Sequence, residues 1–488
     1  MTAPLRSIDL PERKLNEECG VFAIAGDELA AERTRLALVA LQHRGPESAG
    51  IATVDGLGGM FHHRGMGLVS EALPESGLDQ LAAGSSAVGH VRYSTTGSSC
   101  IANAQPLVFA FSRGNIALAH NGNLVNAGTL RHELEAEGAI FQTTSDTEVV
   151  AHLVARSGEP DLTDAIRHAL AAVEGGFAMC VLADDRLVAA RDAHGLRPLV
   201  LGRTDDGAWC VASESCALDI VGAEFVRDVE PGELLVLWPD GSIEQSRFAE
   251  PAARALCTFE HIYFARPDSD VDGHNVHATR KRFGALLADI APADADLVIG
   301  VPDSSTSAAI GYAERSGTPF EIGLVKNRYV GRTFLAPSPE LRASGVRMKL
   351  SAVRGVVGGR RVVMVDDSIV RGTTSRRIVQ LLRDSGATEV HVRIACPPVT
   401  HPCFYGIDTS TRDELVAARS SIEEIRELVG ADSLAFLDEP TMMRAFAPPG
   451  DDRPACGHCN ACFTGRYPVA IDAAPGKLDL ERGLAGVR

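Results

Sequence analysis

Two adjacent acids, Asp366 and Asp367, close an apolar run in the stretch RRVVMVDDSIVRGTTSRR, residues 360–377. Repulsion and desolvation both oppose two like charges at the end of a buried strand, so a bound partner must offset them. A divalent cation such as Mg²⁺ would do so through oxygen ligands. The residues that follow, Ser368, Ile369, Val370, Arg371, Gly372, Thr373 and Thr374, offer backbone N–H groups, hydroxyls and a cation. They lead into a helix expected to begin near Thr374, whose N-terminus favours a phosphate. The chemistry implied is a phosphate in the loop, with the two acids facing ribose hydroxyls and a metal. A second candidate is Cys19, which opens the apolar run CGVFAIAG after a charged leader. If residues 1–18 are removed, one residue carries both a thiol and a free α-amine. That amine, with an ordinary pKa of about 7.7–8.0, can serve as base for its own thiol. An ordinary buried strand cysteine is the alternative reading.

Further residues share these properties. The segment GVPDSSTSAA carries Asp303, Ser304 and Ser305 just after the apolar run DLVI. Ser and Asp are also common helix N-caps. The chain has eleven cysteines. Three of them, Cys456, Cys459 and Cys462, form overlapping C-x-x-C pairs, and Cys257 and Cys403 lie far away in sequence. Four thiolates suit an iron–sulfur cluster or structural zinc equally, and spacing does not choose between the metals.

Elements must position these groups. Between Cys19 and about Leu237, short apolar runs alternate with Gly, Asp and Ser, as in SAVGHVRYS and NIALAHNGNL. This pattern predicts antiparallel strands and hairpins. Amphipathic spacing predicts helices over 30–43, 146–156 and 162–173. From about Cys257 the texture becomes strand, loop, helix, strand, which implies a parallel, doubly wound sheet. In such sheets ligands bind outside the carboxyl ends of the strands, where Asp366 and Asp367 would stand. The length, 488 residues, calls for two or three domains. The formal net charge of −17 argues against a nucleic-acid partner. No apolar run is long enough to span a bilayer, and the first residues lack the apolar core of a secretory signal. A cytoplasmic protein is expected, and eleven cysteines there are poor candidates for structural disulfides.

Four ordered motifs widen the reading: LQHRGPESAGI (41–51), GHVRYSTTG (89–97), HNGNLVN (120–126) and TTSDTEV (143–149). With Cys19 they resemble the class II glutamine amidotransferases, which implies a four-layer αββα, α+β N-terminal-nucleophile domain over 19–250. By that resemblance Arg92 and Asp146 hold the α-carboxylate and α-ammonium of glutamine, and Arg44 and Gly45 lie in a loop near it. Asn121 and the N–H of Gly122 form the oxyanion hole.

The stretch VVMVDDSIVRGTTS is similar to the phosphoribosyl-pyrophosphate (PRPP) loop of the type I phosphoribosyltransferases, which implies an α/β domain over 251–470 that binds PRPP through residues 366–374. Ser304 would then lie near the metal and the pyrophosphate. The cation-rich segment after Val325, with Lys326, Arg328, Arg332 and Lys349, would form a lid that excludes water. Residues 1–18 would be a propeptide and 471–488 a tail. Together the halves resemble the glutamine PRPP amidotransferase family over nearly the whole chain. That implies conversion of glutamine and PRPP to 5-phosphoribosylamine, pyrophosphate and glutamate, the first step of purine synthesis. Ammonia would pass inside the protein from Cys19 to the PRPP site.

The resemblance also implies inhibition by purine nucleotides, a homotetramer, and a [4Fe–4S] cluster on Cys257, Cys403, Cys459 and Cys462, with Cys456 able to replace Cys462. Rival readings are another amidotransferase such as a glucosamine-phosphate synthase, which lacks the 366–375 loop, and a PRPP-sensing regulator with a relic glutaminase.

Overall fold

The structure, a computed structural model, describes residues 19–93, 97–327, 350–409, 411–448, 453–471 and 480. The expected propeptide, most of the tail, and Arg328, Arg332 and Lys349 of the expected lid lie outside the described residues.

Strict alternation along the first strands builds two facing sheets. In Gly20–Ala25, Val21, Ala23 and Ala25 point to one side and Phe22 and Ile24 to the other, as a period of two requires. The first set meets Ala117, Ala119, Ala178 and Cys180 of a second sheet. The second set packs under helix Ala30–Ala40. The first sheet has seven strands, and Gly20–Ala25 pairs antiparallel with both Ser86–Arg92 and Trp209–Ala212. The second has six, with Gly114–Leu124 paired antiparallel to Gly175–Ala183. Its outer face is covered by helices Thr147–Arg156 and Leu162–Ala172. The result is the expected helix–sheet–sheet–helix stack.

The first helix ends at Ala40, not at residue 43. The physical reason is Gly45: a Cβ there would fall 2.5 Å from the Val91 carbonyl carbon. The chain must leave the helix early to bring residues 41–45 flat against strand Ser86–Arg92.

The second half is built on four parallel strands in the order Leu297–Gly300, Arg361–Asp366, Glu389–Ile394, Ser433–Phe436. The two strands Leu297–Gly300 and Arg361–Asp366 are buried at all but one residue each, as in a parallel sheet covered on both faces, while the edge strand Ser433–Phe436 is mostly half-buried. Helices Val276–Ile290, Thr306–Ser316 and Thr373–Asp384 supply the cover. No helix among the described residues is long and apolar enough to cross a membrane.

Candidate functional site

Cys19 stands one residue before strand Gly20–Ala25, and the pairing of Gly20 with Val91 places it beside Arg92. A small, partly open cavity lies there, with Cys19, Arg92, His120, Gly122 and Asp146 in its wall. Asp146 arrives from elsewhere in the chain, at the N-terminus of helix Thr147–Arg156, and its Oδ2 accepts the N–H of Leu124 at 2.9 Å. One cavity therefore offers a guanidinium, a carboxylate and a thiol. That set fits the two charged ends of an α-amino acid whose side chain is presented to sulfur.

The thiol donates to the carbonyl of Tyr93 at 3.3 Å. Burial pushes its pKa up to about 11, with Arg92 pulling the other way. At pH 7 such a thiol is ionised in roughly one molecule in 10⁴, so the site needs a base. Gly122 is fixed by its backbone: φ is 138°, and a Cβ would lie 1.9 Å from the Gly176 carbonyl oxygen. The side chain of Asn121 is wholly buried; its Nδ2 donates to Ser213 Oγ at 3.3 Å.

Arg44 is not in the cavity wall. Its buried guanidinium donates from Nε to the carbonyl of Cys19 at 3.0 Å and pairs with Glu214 and Glu260. His120 is a cavity residue that sequence reasoning misses, although it opens the HNGNLVN motif. Its Nδ1 lies 3.1 Å from Thr147 Oγ1 and 3.8 Å from Asp146 Oδ2. Burial lowers its pKa, so the ring is neutral. The adjacent Asn–Gly pair carries the resemblance, and no periodicity marks a histidine as cavity-lining.

The second set of residues gathers at the carboxyl end of the parallel sheet. Strands Leu297–Gly300 and Arg361–Asp366 pair in parallel, Gly300 opposite Val365, so the loops that follow them meet. Asp366 Oδ1 accepts from Ser305 Oγ at 3.1 Å and from the N–H of Asp367 at 3.0 Å. Asp367 accepts from Ser304 Oγ through Oδ2, and from Ser368 Oγ at 2.7 Å through Oδ1. Hydroxyls thus hold both carboxylates. Gly372, at φ 77°, turns the loop into helix Thr373–Asp384, one residue earlier than the sequence reading. Arg371 of this loop pairs with Glu414. Lys326 Nζ stands 3.3 Å from Asp303 at the rim. Oxygen donors of this kind suit a hard cation such as Mg²⁺.

The segments that carry the cysteines lie side by side. Leu256–Cys257 pairs in parallel with His458–Cys459, Cys257 opposite Cys459. The backbone carbonyl of Cys462 accepts the N–H groups of Thr400 and His401, each at 3.0 Å, which brings residues 400–403 alongside. The Cys462 thiol is held well above its ordinary range by burial, then by Cys257, Cys459, Cys403 and Cys396 around it. Cys403 Sγ accepts the N–H of Tyr405 at 3.4 Å. Cys456 is exposed. Among the described residues, no three His, Cys, Asp or Glu side chains converge as the ligands of a metal ion.

The two halves touch beside the Cys19 cavity. Asn123 Nδ2 donates to the carbonyl of Phe404 at 2.9 Å, and the hydroxyl of Tyr93 to Asp408 at 3.4 Å.

Known proteins resemble this chain in part and over nearly its whole length. A family model for a glutamine amidotransferase domain matches residues 90–219. The amidophosphoribosyltransferase of Bacillus subtilis (strain 168) is 55% identical over 94% of this chain and 95% of its own. Amidophosphoribosyltransferase 2, chloroplastic, of Arabidopsis thaliana is 51% identical over 94% of this chain and 80% of its own. Among solved structures, the glutamine PRPP amidotransferase from B. subtilis complexed with ADP and GMP superposes with a TM-score of 0.87. It is 54% identical and covers 93% of this chain and 98% of that one.

Proposed function

The chain belongs to the amidophosphoribosyltransferase family, and from that premise we propose how its residues carry the family's reaction. It is a transferase, and its reaction is the first step of purine biosynthesis: glutamine, PRPP and water give 5-phosphoribosylamine, pyrophosphate and glutamate. One observation carries the assignment of roles. The Cys19 cavity with its opposed Arg92 and Asp146 shares a chain with the hydroxyl-held acids Asp366 and Asp367.

In this reading Arg92 takes the carboxylate of glutamine and Asp146 its ammonium. Removal of residues 1–18 frees the α-amine of Cys19, which accepts the thiol proton as sulfur attacks the side-chain amide. The N–H of Gly122, with Asn121 turned toward the substrate, stabilises the oxyanion. Ammonia departs, a thioester remains on Cys19, and water releases glutamate. The contacts of Asn123 with Phe404 and of Tyr93 with Asp408 support passage of ammonia between the halves without exposure to solvent. Such passage keeps ammonia unprotonated.

At the second site, backbone N–H groups and hydroxyls of 368–374 bind the 5-phosphate, and Asp366 and Asp367 stabilise the ribosyl cation as C1 loses pyrophosphate. Ser304, Asp366 and Asp367 would hold Mg²⁺, which neutralises pyrophosphate charge. Lys326, with Arg332 and Lys349, would close over it. We place the domain boundary near residue 250, between the last strand of the second antiparallel sheet and Leu256–Cys257.

The reading includes a homotetramer, supported by the exposed apolar residues Leu36 and Val39 of the first helix and Phe225 of strand Ala223–Asp228, a cytoplasmic location, and inhibition by purine nucleotides, supported by the ADP and GMP of the related structure. The defining measurement is stoichiometry. Glutamate and pyrophosphate should form one for one, and glutamine hydrolysis without PRPP should be slow. A free-running glutaminase with no pyrophosphate would refute it.

Cys257, Cys403, Cys459 and Cys462 would hold a [4Fe–4S] cluster with a structural or oxygen-sensing role. The buried, soft sulfur donors around Cys462 support it, as does the N–H aimed at Cys403. Exposure of Cys456 favours Cys462 as the ligand. Anaerobically purified protein should contain about four irons per chain. Stoichiometric zinc, or no metal, would remove the cluster from the reading.

A further inference from the structure

A buried charge network adjoins the backbone of Cys19. Arg44, Arg197, Glu214 and Glu260 are each at most 1% exposed. Arg44 donates to Cys19 O at 3.0 Å, to Glu260 Oε1 at 2.7 Å and Oε2 at 3.0 Å, and to Glu214 Oε1 at 2.5 Å. Arg197 Nη1 reaches Glu260 Oε1 at 3.4 Å. Glu214 also accepts from Ser269 Oγ at 2.8 Å, from the N–H of Arg266 at 2.9 Å, and lies 2.7 Å from His43 Nε2.

Glu260, Arg266 and Ser269 belong to the PRPP half of the chain, while the other members belong to the glutaminase half. Glu260 opens a π-helical turn, Glu260–Phe264, a rare geometry often found at functional positions. The turn is clamped by Arg280, whose Nε donates to His261 O at 2.6 Å and Nη2 to Ala265 O at 2.8 Å. Arg280 also feels the charge of Asp367.

Desolvation makes such a network a poor source of stability compared with apolar packing. Its geometry has another consequence. Guanidinium is planar and its donors are fixed relative to one another, so the carboxylate that grips one edge sets the direction of the rest. We propose that Glu260, supplied by the PRPP half, is a positioning residue for the glutaminase reaction: it orients Arg44, and Arg44 fixes the backbone of Cys19 and so the aim of its sulfur and α-amine. Arg280 holds the turn that carries Glu260. A change of charge at Asp367 is felt by Arg280, which holds the turn that carries Glu260, and Glu260 in turn holds Arg44 on Cys19.

The inference rests on the amidotransferase reading, and ammonia separates the two. With high ammonium as nitrogen source, PRPP turnover needs only the second site. Glu260→Gln keeps the shape of the side chain and removes its charge. It should lower kcat for glutamine hydrolysis about ten- to a hundredfold, leave the KM for glutamine within about twofold, and reduce the acceleration by PRPP. Ammonia-dependent turnover should persist. Glu260→Asp, which keeps the charge on a shorter arm, should recover part of the loss.

Parallel loss of both activities, or none of either, overturns the proposal. If Glu260→Gln does not fold, Glu260→Asp alone must show the split between glutamine and ammonia, and its absence overturns the proposal equally. Failure of the wild-type protein to use PRPP with either nitrogen source would instead overturn the amidotransferase reading.

Discussion

Cys19→Ser will abolish glutamine-dependent turnover, by about 10³-fold or more, and leave ammonia-dependent turnover of PRPP standing. The sulfur is the atom that attacks, and a hydroxyl in its place is far harder to ionise. The surroundings sharpen the expectation. Even the thiol is pushed up to about 11 by burial, so its charged form gains population only as pH rises through that value. At neutral pH the thiolate is scarce, and the self-supplied amine carries the burden of proton removal.

A pH profile follows from the same chemistry. The form beginning at Cys19 should gain glutaminase activity as pH rises through the amine's pKa, near 7.7–8.0 in its ordinary range. A form that retains residues 1–18 has no such amine and should lack that limb, with activity confined to the alkaline edge. Intact-mass analysis of active protein, paired with glutamate release across pH, checks both statements. An active protein that still begins at Met1, with the same profile, would end the self-base mechanism. Equal loss of ammonia-dependent turnover in Cys19→Ser would mean that the two sites are not separable.

Asp366→Asn and Asp367→Asn, singly, should lower PRPP turnover about 10²- to 10⁴-fold with glutamine or ammonia alike. Preorganised charge aimed at a developing cation is one of the strongest sources of rate acceleration an enzyme has, and each substitution removes one such charge. Folding should respond differently. The acids are buried together at 7% and 8% exposure, so neutralising one relieves repulsion. An Asn oxygen can still accept from Ser305 or Ser368 as the carboxylates do. The melting temperature should therefore hold or rise while activity collapses, as for residues kept for function at the expense of stability. Kinetics with both nitrogen sources, beside thermal unfolding, read the two effects. A fall in melting temperature with activity retained would make the acids structural.

Much of this is legible in the residues. Short apolar runs separated by Gly, Asp and Ser mark the strands of the first half, and the strand–loop–helix texture marks the second. Both signals are local, because they record which face of an element is buried. Asp366 and Asp367 stand out because two charges at the end of an apolar strand demand an explanation wherever they fold. Cys19 stands out because its neighbours in sequence change from charged to apolar at that residue.

Other features are illegible for a physical reason. Arg44 reads as a substrate-loop residue, and what the residues around it do not show is that its guanidinium holds Cys19 O, Glu214 and Glu260 at once. Glu260 lies 216 residues from Arg44, and no local pattern links them. His120 faces the cavity because strand Gly114–Leu124 runs past Asp146, which depends on sheet pairing rather than sequence spacing. The cysteines show the same limit. Spacing offers Cys456 and Cys462 as equals, whereas the fold leaves Cys456 exposed and buries Cys462 beside residues 400–401.

Both chemistries are legible along the chain, one in the single stretch 366–374 and the other in Cys19 with the ordered motifs between residues 41 and 149. Tertiary structure alone decided how they are joined. Coupling requires buried charges from distant segments to meet in one low-dielectric place, and a charge is stable there only when its partners arrive with it.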